Sequence, residues 1–336
     1  MDIIAKIKAV QLVGRGGAGF PTALKWEAVY KAPGSVKYIV INAAEGEPGV
    51  KKDGYILENH ITEMLLGVKL AQKYLGAKKC YLYINPVYYK KNHLAITKAV
   101  KACGLGKYFE FFVKPHDAGN IGGEETATIN AISGFKIEPR LKPPYPTTSG
   151  LWEVPTLVDN VETFYNVALV AQGKYQSERF YTINGPVPHP GVYSFPDDWT
   201  MEKILYESGN YPKFPFFVQV GGDAAGVVLN QEQLGVAATG AASITIYNLA
   251  KQQPRKLLQF WFKFFQENSC GQCTPCREGT YRLVEMMQAK VIDWNLLYTL
   301  LDDLSQTSLC ALGGSVAIPV KSYIKNILNN DFKKII

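Results

Sequence analysis

The sequence predicts a multidomain α/β protein with a helical C-terminal region. Strand-like and helix-like segments alternate in the first half, short strands broken by Gly and Pro fill the middle, and helical periodicity prevails after residue 253. A chain of 336 residues is long enough for two or three domains, because domains have roughly 100–200 residues each. We place the domains at residues 1–175, 176–252 and 253–336.

The first domain is predicted from apolar runs that alternate with helical patterns. Residues 36–42 (VKYIVIN) are typical of a buried strand, and residues 55–75 repeat apolar side chains at helical spacing. The other predicted strands cover 80–85 and 108–113, and the other predicted helices cover 92–103 and 161–171. In the middle domain, residues 181–248 predict short strands with one helix at 201–208, which suits a small mixed α+β fold.

Composition and charge exclude several classes of function. The net charge is +7, but the lysines are scattered, and no basic stripe with interleaved aromatic residues predicts nucleic-acid binding. No apolar run approaches the roughly 20 residues that span a bilayer, so we expect no direct membrane insertion. The N-terminal residues lack a secretory pattern and six cysteines are too few for a disulfide scaffold, so we expect a cytoplasmic protein.

The cysteine pattern of the third domain is the strongest chemical signal. Cys270, Cys273 and Cys276 recur at three-residue intervals, and Cys310 follows much later. Three closely spaced thiolates and one distant thiolate can enclose a 4Fe–4S cubane. Four thiolates also suit zinc, although structural zinc sites usually offer two separated pairs. The pattern favours the iron–sulfur cluster, with zinc and unliganded thiols as alternatives.

A glycine-rich loop carries the second signal. Residues 14–21 (GRGGAGFP) satisfy GxGxxG, but the segment before them could equally be a helix, and no acidic residue ends the following strand. The standard Rossmann mode is therefore not predicted. The loop is either a flexible turn or a phosphate site built from its N–H groups and Arg15. Polar residues at 42–49, 122–126 and 155–163 are likewise either ligand loops or plain turns and helix caps.

Taken together, these motifs form one ordered series that identifies a family. The series is GRGGAGFPT with LKW, NAAEGEPG, GGEETA, PRLKPP, PTLVDNVET, and SCGQCTPCREG with a later CALG. It closely resembles the NADH-binding flavoprotein subunit of respiratory complex I and the diaphorase subunits of NAD-reducing hydrogenases and formate dehydrogenases. The resemblance implies a Rossmann-like FMN/NADH domain, a small β-grasp (SLBB) domain and a C-terminal helical bundle carrying the 4Fe–4S cluster.

The resemblance also implies which residues bind the cofactors. Those near the flavin and dinucleotide phosphates are Gly14, Arg15, Gly16, Gly17, Ala18, Gly19 and Lys25. Those that would hold FMN are Asn42, Glu45, Gly123, Glu124, Val158, Asp159 and Asn160. Phe20 and Tyr145 would stack on NADH, and Glu47 would lie near the nicotinamide as the catalytic residue. Glu125 would face the adenosine ribose and disfavour NADPH by charge repulsion.

Four positions depart from the family pattern. Ala44 replaces the usual Asp, Asn120 the usual aromatic residue, Asp159 the first of two Asn residues, and Gly54 the usual Arg. Three of the four would lie around the flavin. One alternative is therefore a cluster-containing scaffold subunit with weakened or lost flavin binding, and another is an Rnf-type relative.

The expected function is an NADH dehydrogenase module. NADH would pass a hydride to FMN, and single electrons would leave through the 4Fe–4S cluster. The resemblance implies a small 2Fe–2S thioredoxin-like subunit as the partner, with further redox subunits of a larger complex. That complex would be cytoplasmic or peripheral to a membrane-bound assembly.

Overall fold

The computed structural model describes residues 2–238 and 240–335, which divide into two compact units. The first unit contains residues 2–46 and 51–180, and the second contains residues 47–50 together with those from 181 onward. The domain boundaries expected near residues 175 and 252 stay a prediction. Met1 and Ile336, the outer ends of the predicted domains, lie outside the described residues.

The first unit is built on a parallel four-stranded sheet. Its strands are β1 (Tyr38–Ala43), β2 (Lys79–Ile84), β3 (Phe109–Val113) and β4 (Thr156–Asn160). They lie in the order β3-β2-β1-β4, and every neighbouring pair is parallel. All four carboxyl ends therefore meet at one edge of the sheet, which is where α/β folds place their ligands.

Seven helices of the described residues belong to the first unit. They are α1 (Ile3–Ala9), α2 (Thr22–Lys31), α3 (Lys52–Asn59), α4 (Ile61–Leu75), α5 (Pro86–Ala102), α6 (Glu125–Ser133) and α7 (Val161–Gln172). Gly67 of α4 permits close packing on α7, since a Cβ at Gly67 would stand 1.9 Å from the carbonyl oxygen of Phe164. The strand β1 is apolar on both faces, with Val40 on one face and Ile39 and Ile41 on the other all fully buried, as its unbroken apolar run predicts.

One prediction about these elements is wrong, and one strand lies outside the predicted set. The single helix expected over 55–75 is two helices, because His60 adopts φ −133° and ψ 28° between α3 and α4. The His60 ring packs against the rings of Tyr55, Tyr165 and Phe180, with centroids 5.0 to 5.6 Å away. Strand β4 is not among the predicted strands, because the sequence of residues 155–163 indicates only a ligand loop or a helix cap.

The second unit begins with a mixed five-stranded sheet. Its strands are β5 (Glu178–Asn184), β6 (Gly191–Pro196), β7 (Phe216–Val220), β8 (Val227–Asn230) and β9 (Ser243–Asn248), in the order β6-β5-β9-β7-β8. β5 and β9 are parallel, whereas β7 is antiparallel to both β8 and β9. One helix, α8 (Met201–Glu207), packs into the same core through Ile204 and Leu205. This is the small mixed fold that the middle of the sequence predicts.

The rest of the second unit is helical, as expected. Its helices are α9 (Pro254–Asn268), α10 (Thr274–Met286), α11 (Trp294–Thr307), α12 (Ala311–Gly314) and α13 (Ala317–Asn326). Among the residues described, no helix is long and apolar enough to cross a membrane.

Candidate functional site

The carboxyl edge of the parallel sheet brings several predicted flavin residues together. At the end of β1, the Asn42 amide donates to the Gly123 carbonyl at 3.0 Å and accepts from the Ala44 N–H at 3.1 Å. After β2, the Asn85 amide donates to the Glu45 carbonyl at 2.8 Å. These amide bridges tie together the loops that follow β1, β2 and β3, so the sheet fixes where each loop lies.

The Glu45 carboxyl group is held by donors from two helices. The Tyr88 hydroxyl on α5 donates to its Oε2 at 2.5 Å, and the Asp53 N–H on α3 donates to its Oε1 at 3.1 Å. Burial, helped by the Asp53 carboxylate, raises the pKa of Glu45 to about 7, although Lys52 and the Tyr88 hydrogen bond act against the rise. Gly54 makes room for Tyr88, because a Cβ there would stand 2.6 Å from the tyrosine ring.

A buried ion network fixes Asn160 at the end of β4. The Lys52 ammonium donates to Asp53 Oδ1 at 2.7 Å and to Asn160 Oδ1 at 2.8 Å, and lies 3.1 Å from Glu162 Oε2. Burial would lower the pKa of Lys52, but the neighbouring carboxylates outweigh it and raise that pKa. Asn160 also accepts from the Glu162 N–H at 3.1 Å and so caps α7. The capping interpretation of this residue is therefore correct, and it is compatible with a second role.

The glycine loop is closed on itself and exposed. The Gly14 N–H donates to the Phe20 carbonyl at 2.8 Å, and Gly17 and Gly19 turn the chain with φ of +107° and +64°. Residues 16–20 are exposed, and 51% of Phe20 is accessible to solvent. A helix, α1, precedes the loop, so the glycines do not occupy the Rossmann position after a first strand, as the sequence indicates.

Arg15 lies inside the unit rather than on the exposed loop surface. It is buried, its N–H donates to Thr163 Oγ1 at 2.9 Å, and its guanidinium donates to the Tyr175 hydroxyl at 3.0 Å. The backbone of the loop is consequently a better candidate phosphate donor than the Arg15 guanidinium.

Lys25 joins three of the predicted cofactor residues. Its ammonium donates to Glu125 Oε1 at 3.1 Å and to the Val158 carbonyl at 3.0 Å, and lies 3.6 Å from Asp159 Oδ1. Burial would lower the pKa of Lys25, but Asp159 and Glu125 outweigh it and raise that pKa. The Trp26 indole donates to Asp159 Oδ2 at 2.8 Å, so the carboxylate at this unusual position is fully engaged.

Glu124 caps the helix that carries Glu125. Its Oε2 accepts from the N–H groups of Thr126 at 2.7 Å and Ala127 at 2.9 Å, and its Oε1 lies 3.1 Å from the Lys142 ammonium. The capping alternative is therefore correct for this residue. Tyr145, the second aromatic residue expected to contact NADH, is 56% exposed.

Glu47 belongs to the second unit. Its Oε1 accepts from the N–H groups of Ala224 at 3.0 Å and Ala225 at 2.9 Å. Gly222 permits this contact, because a Cβ there would stand 2.3 Å from Oε1. The carboxylate thus anchors the segment Glu47–Val50 to the loop that follows β7.

The four predicted cluster cysteines lie near one another in the second unit. Burial raises the pKa of Cys276 to about 11, and Cys273, Cys310 and Cys270 each add to the rise. Gly271, with φ +77°, turns the chain between the first two cysteines. The Cys310 loop reaches Cys276 because Gly313 lacks a side chain: a Cβ on Gly313 would stand 3.1 Å from the Cys276 Cβ.

The four cysteines supply an all-thiol donor set. Within residues 2–238 and 240–335, no three Cys, His, Asp or Glu side chains are close enough to ligate one metal ion. The four thiolates of a 4Fe–4S cluster stand further apart, because each binds a different iron. The four-thiol donor set suits the 4Fe–4S cluster that the sequence predicts.

Sequence reasoning missed several residues at the carboxyl edge. Tyr88 and Lys114 contact the Glu45 loop, and the Lys114 ammonium donates to the Ala44 carbonyl at 3.1 Å. Asn120 lies at the same place, with Oδ1 3.0 Å from where a Gly46 Cβ would stand. An isolated lysine in a sequence usually indicates solvated surface. The one sequence signal for a role of Lys114 is its position immediately after a predicted strand.

Three features define the class of this protein, that of the iron–sulfur flavoprotein oxidoreductases. They are the parallel sheet with candidate ligand loops at its carboxyl edge, the mixed sheet, and the helical region with four cysteines. Residues 7–169 match the family model described as the Nuo51 FMN-binding domain. Residues 256–332 match the NADH-ubiquinone oxidoreductase-F iron-sulfur binding region.

Two bacterial relatives of this chain are each a subunit of an NADH-quinone oxidoreductase. The F subunit of NADH-quinone oxidoreductase from Streptomyces coelicolor is 31% identical, over 96% of this chain and 81% of that protein. The F2 subunit of NADH-quinone oxidoreductase from Rhizobium meliloti is also 31% identical, over 97% and 86% respectively. The chain belongs to the family of NADH-quinone oxidoreductase F subunits.

A solved structure is also similar. A chain of NAD⁺-reducing [NiFe]-hydrogenase in the air-oxidized state superposes with a TM-score of 0.90 at 28% identity, over 99% of this chain. This chain spans 62% of the length of that hydrogenase chain. The comparisons confirm the predicted family and fold class, and the protein is an NADH dehydrogenase-type oxidoreductase with FMN-binding and 4Fe–4S-binding regions.

Proposed function

We propose that this chain is the electron-input subunit of a larger redox complex. When bound, FMN accepts a hydride from NADH, and the 4Fe–4S cluster accepts electrons one at a time. The protein's contribution is to hold the reactants, exclude water and conduct electrons onward. The proposal rests mainly on one observation: a parallel sheet with converging ligand loops and four neighbouring cysteines occur in a single chain.

The flavin would lie at the carboxyl edge of the parallel sheet. Asn42, Glu45, Gly123, Val158 and Asn160 would hold it, and the backbone of residues 14–19 would receive its phosphate. The amide bridges and the Lys52 network support this assignment, because they fix these loops before any ligand binds. Glu124 would act on the flavin through its position at the start of α6, since its carboxylate already caps that helix.

NADH would bind over exposed aromatic rings. Phe20 and Tyr145 are both more than half exposed, which suits stacking on adenine or nicotinamide. Glu125 would face the ribose, and its carboxylate would repel the extra phosphate of NADPH. Glu47 would lie near the nicotinamide, positioned by the two N–H groups that its Oε1 accepts from.

Electrons would leave through the cysteines. Cys270, Cys273, Cys276 and Cys310 would hold the cluster, and a small 2Fe–2S thioredoxin-like subunit is the partner that the resemblance implies. The relatives are named as subunits of multisubunit enzymes, which supports a place within such a complex. A cytoplasmic location, either free or peripheral to a membrane-bound complex, is part of the same proposal.

Anaerobic purification followed by flavin, iron, sulfide and zinc analysis tests this proposal. We expect one FMN and one 4Fe–4S cluster per chain. Bound zinc without acid-labile sulfide would contradict the cluster assignment. A chain with a full cluster but no flavin, even after incubation with FMN, would instead support the scaffold alternative raised by Ala44, Asn120 and Asp159.

A further inference from the structure

A buried lysine that none of the expected roles uses lies at the carboxyl edge of the parallel sheet. Lys114 directly follows β3 and is only 6% exposed. Its ammonium donates to the Ala44 carbonyl at 3.1 Å. The ammonium also lies 3.1 Å from where a Gly46 Cβ would stand. Because Gly46 has no side chain, the ammonium has room at this place.

Lys114 carries its charge without a counter-ion. In the part of the chain that the structure describes, it forms no ion pair, and burial alone lowers its pKa to about 8. Titratable groups lie on the neighbouring elements, namely Glu45 after β1, Tyr83 in β2 and Glu124 before α6, but none contributes to that shift. Lys52 is equally buried yet lies against two carboxylates. Burying a cation without an anion is costly, so a protein keeps one where a ligand uses it.

A second polar group at the same place lacks a partner. The Tyr83 hydroxyl is buried and has no hydrogen-bond partner among the described residues. It lies 3.4 Å from where a Gly122 Cβ would stand, and Lys114 Cε lies 3.2 Å from the same point. A buried donor without an acceptor requires an explanation, and an absent ligand that brings acceptors is one.

We propose that Lys114 belongs to the flavin site and that its charge makes bound FMN easier to reduce; this rests on the FMN-binding function above. A hydride brings two electrons and one proton from NADH, and so adds one negative charge to the flavin until a second proton binds. A nearby buried cation stabilises that added charge more than it stabilises the oxidised form. Ala44 would act in the same direction, because it stands where the family pattern described above has an Asp carboxylate.

Lys114→Met in the full-length chain tests the inference, since methionine has a similar length and no charge. The midpoint potential of bound FMN is measured by an anaerobic spectroscopic redox titration, beside the wild type. We expect the potential to become more negative in this variant. Lys114→Gln, which keeps a donor for the Ala44 carbonyl but no charge, should shift it in the same direction and serves if the methionine variant does not fold.

Lys37→Met is the matched control. Lys37 is also buried and also donates to backbone carbonyls, those of Ala32 and Gly34, but it precedes β1 at the opposite edge of the sheet. We expect this variant to leave the potential unchanged. An unchanged midpoint potential in both Lys114 variants would overturn the inference. Variants that fold but take up no FMN would also overturn it, because the Lys114 ammonium would then retain the flavin rather than set its potential. If the wild type itself takes up no FMN, the proposed function fails instead.

Discussion

The Asp159 carboxylate lies 3.6 Å from the Lys25 ammonium, at a position where the family pattern has Asn. This carboxylate also accepts the Trp26 indole N–H at 2.8 Å. Lys25 is one of the residues expected to meet the cofactor phosphates. If Lys25 contacts a cofactor phosphate as expected, Asp159 would compete with that phosphate for the charge of Lys25.

We expect Asp159→Asn to tighten FMN binding. The asparagine oxygen can still accept from Trp26, while Lys25 loses one of its two carboxylate neighbours and interacts more strongly with a phosphate. The gain should be about 1 kcal/mol, or roughly fivefold in Kd, because Glu125 still pairs with Lys25 and offsets part of the released charge. Quenching of FMN fluorescence measures Kd. The control is Glu110→Gln on β3, which breaks the ion pair with Lys79 on β2. Unchanged or weaker binding in Asp159→Asn would show that Asp159 does not compete.

Glu125→Gln should increase the use of NADPH relative to NADH. The substitution removes a carboxylate that would repel the 2′-phosphate, an effect on the order of 1–3 kcal/mol where the site is partly desolvated. The measurement is the ratio of kcat/KM for the two cofactors. Glu138→Gln, which breaks the pair with Lys136, serves as the matched control and should leave the ratio unchanged. The same ratio in wild type and Glu125→Gln would contradict the role of Glu125 in cofactor choice.

Glu45 should make the stability of the flavin-free protein depend on pH. Its pKa is raised from 4.5 to about 7, so between these values the folded state binds more protons than the unfolded state. The free energy of unfolding contributed by Glu45 therefore falls as pH rises through this window, by on the order of 1–3 kcal/mol. Urea unfolding at pH 5.5 and pH 8 should show a smaller decline in Glu45→Gln than in wild type. Equal declines would mean that Glu45 ionises normally in the folded chain.

Much of the fold follows from the sequence because its pattern is local. The run at 36–42 became β1, and the alternation of apolar runs with helices gave a parallel sheet. The break at His60 escaped prediction because the apolar positions of α3 and α4 continue in phase across it, and only ring packing from distant residues stabilises the kink. β4 escaped because its polar carboxyl end, Asp159 and Asn160, resembles a helix cap.

The site was predictable where a motif carries it and not where charges meet across the chain. Cys270, Cys273 and Cys276 are close in sequence, and their proximity to Cys310 follows from the motif. Lys114 and Tyr88 lie far from Glu45 in sequence, and only the position of Lys114 after a predicted strand distinguishes either of them from a surface residue. Long-range contacts at the strand ends decide their roles, and periodicity does not record such contacts.

The central claim is a division of labour, in which the residues at the carboxyl edge of the parallel sheet, together with Glu47, support reduction of the flavin by NADH, and the four cysteines export the electrons. The most direct test is anaerobic stopped-flow mixing of NADH with Cys310→Ser, beside the wild type and Cys103→Ser, which alters a half-buried thiol at the end of α5. We expect Cys310→Ser to lose cluster absorbance while NADH still bleaches its flavin, and Cys103→Ser to behave as the wild type. If Cys310→Ser folds and retains FMN but NADH no longer reduces it, flavin reduction depends on the cluster cysteines and the division of labour is wrong.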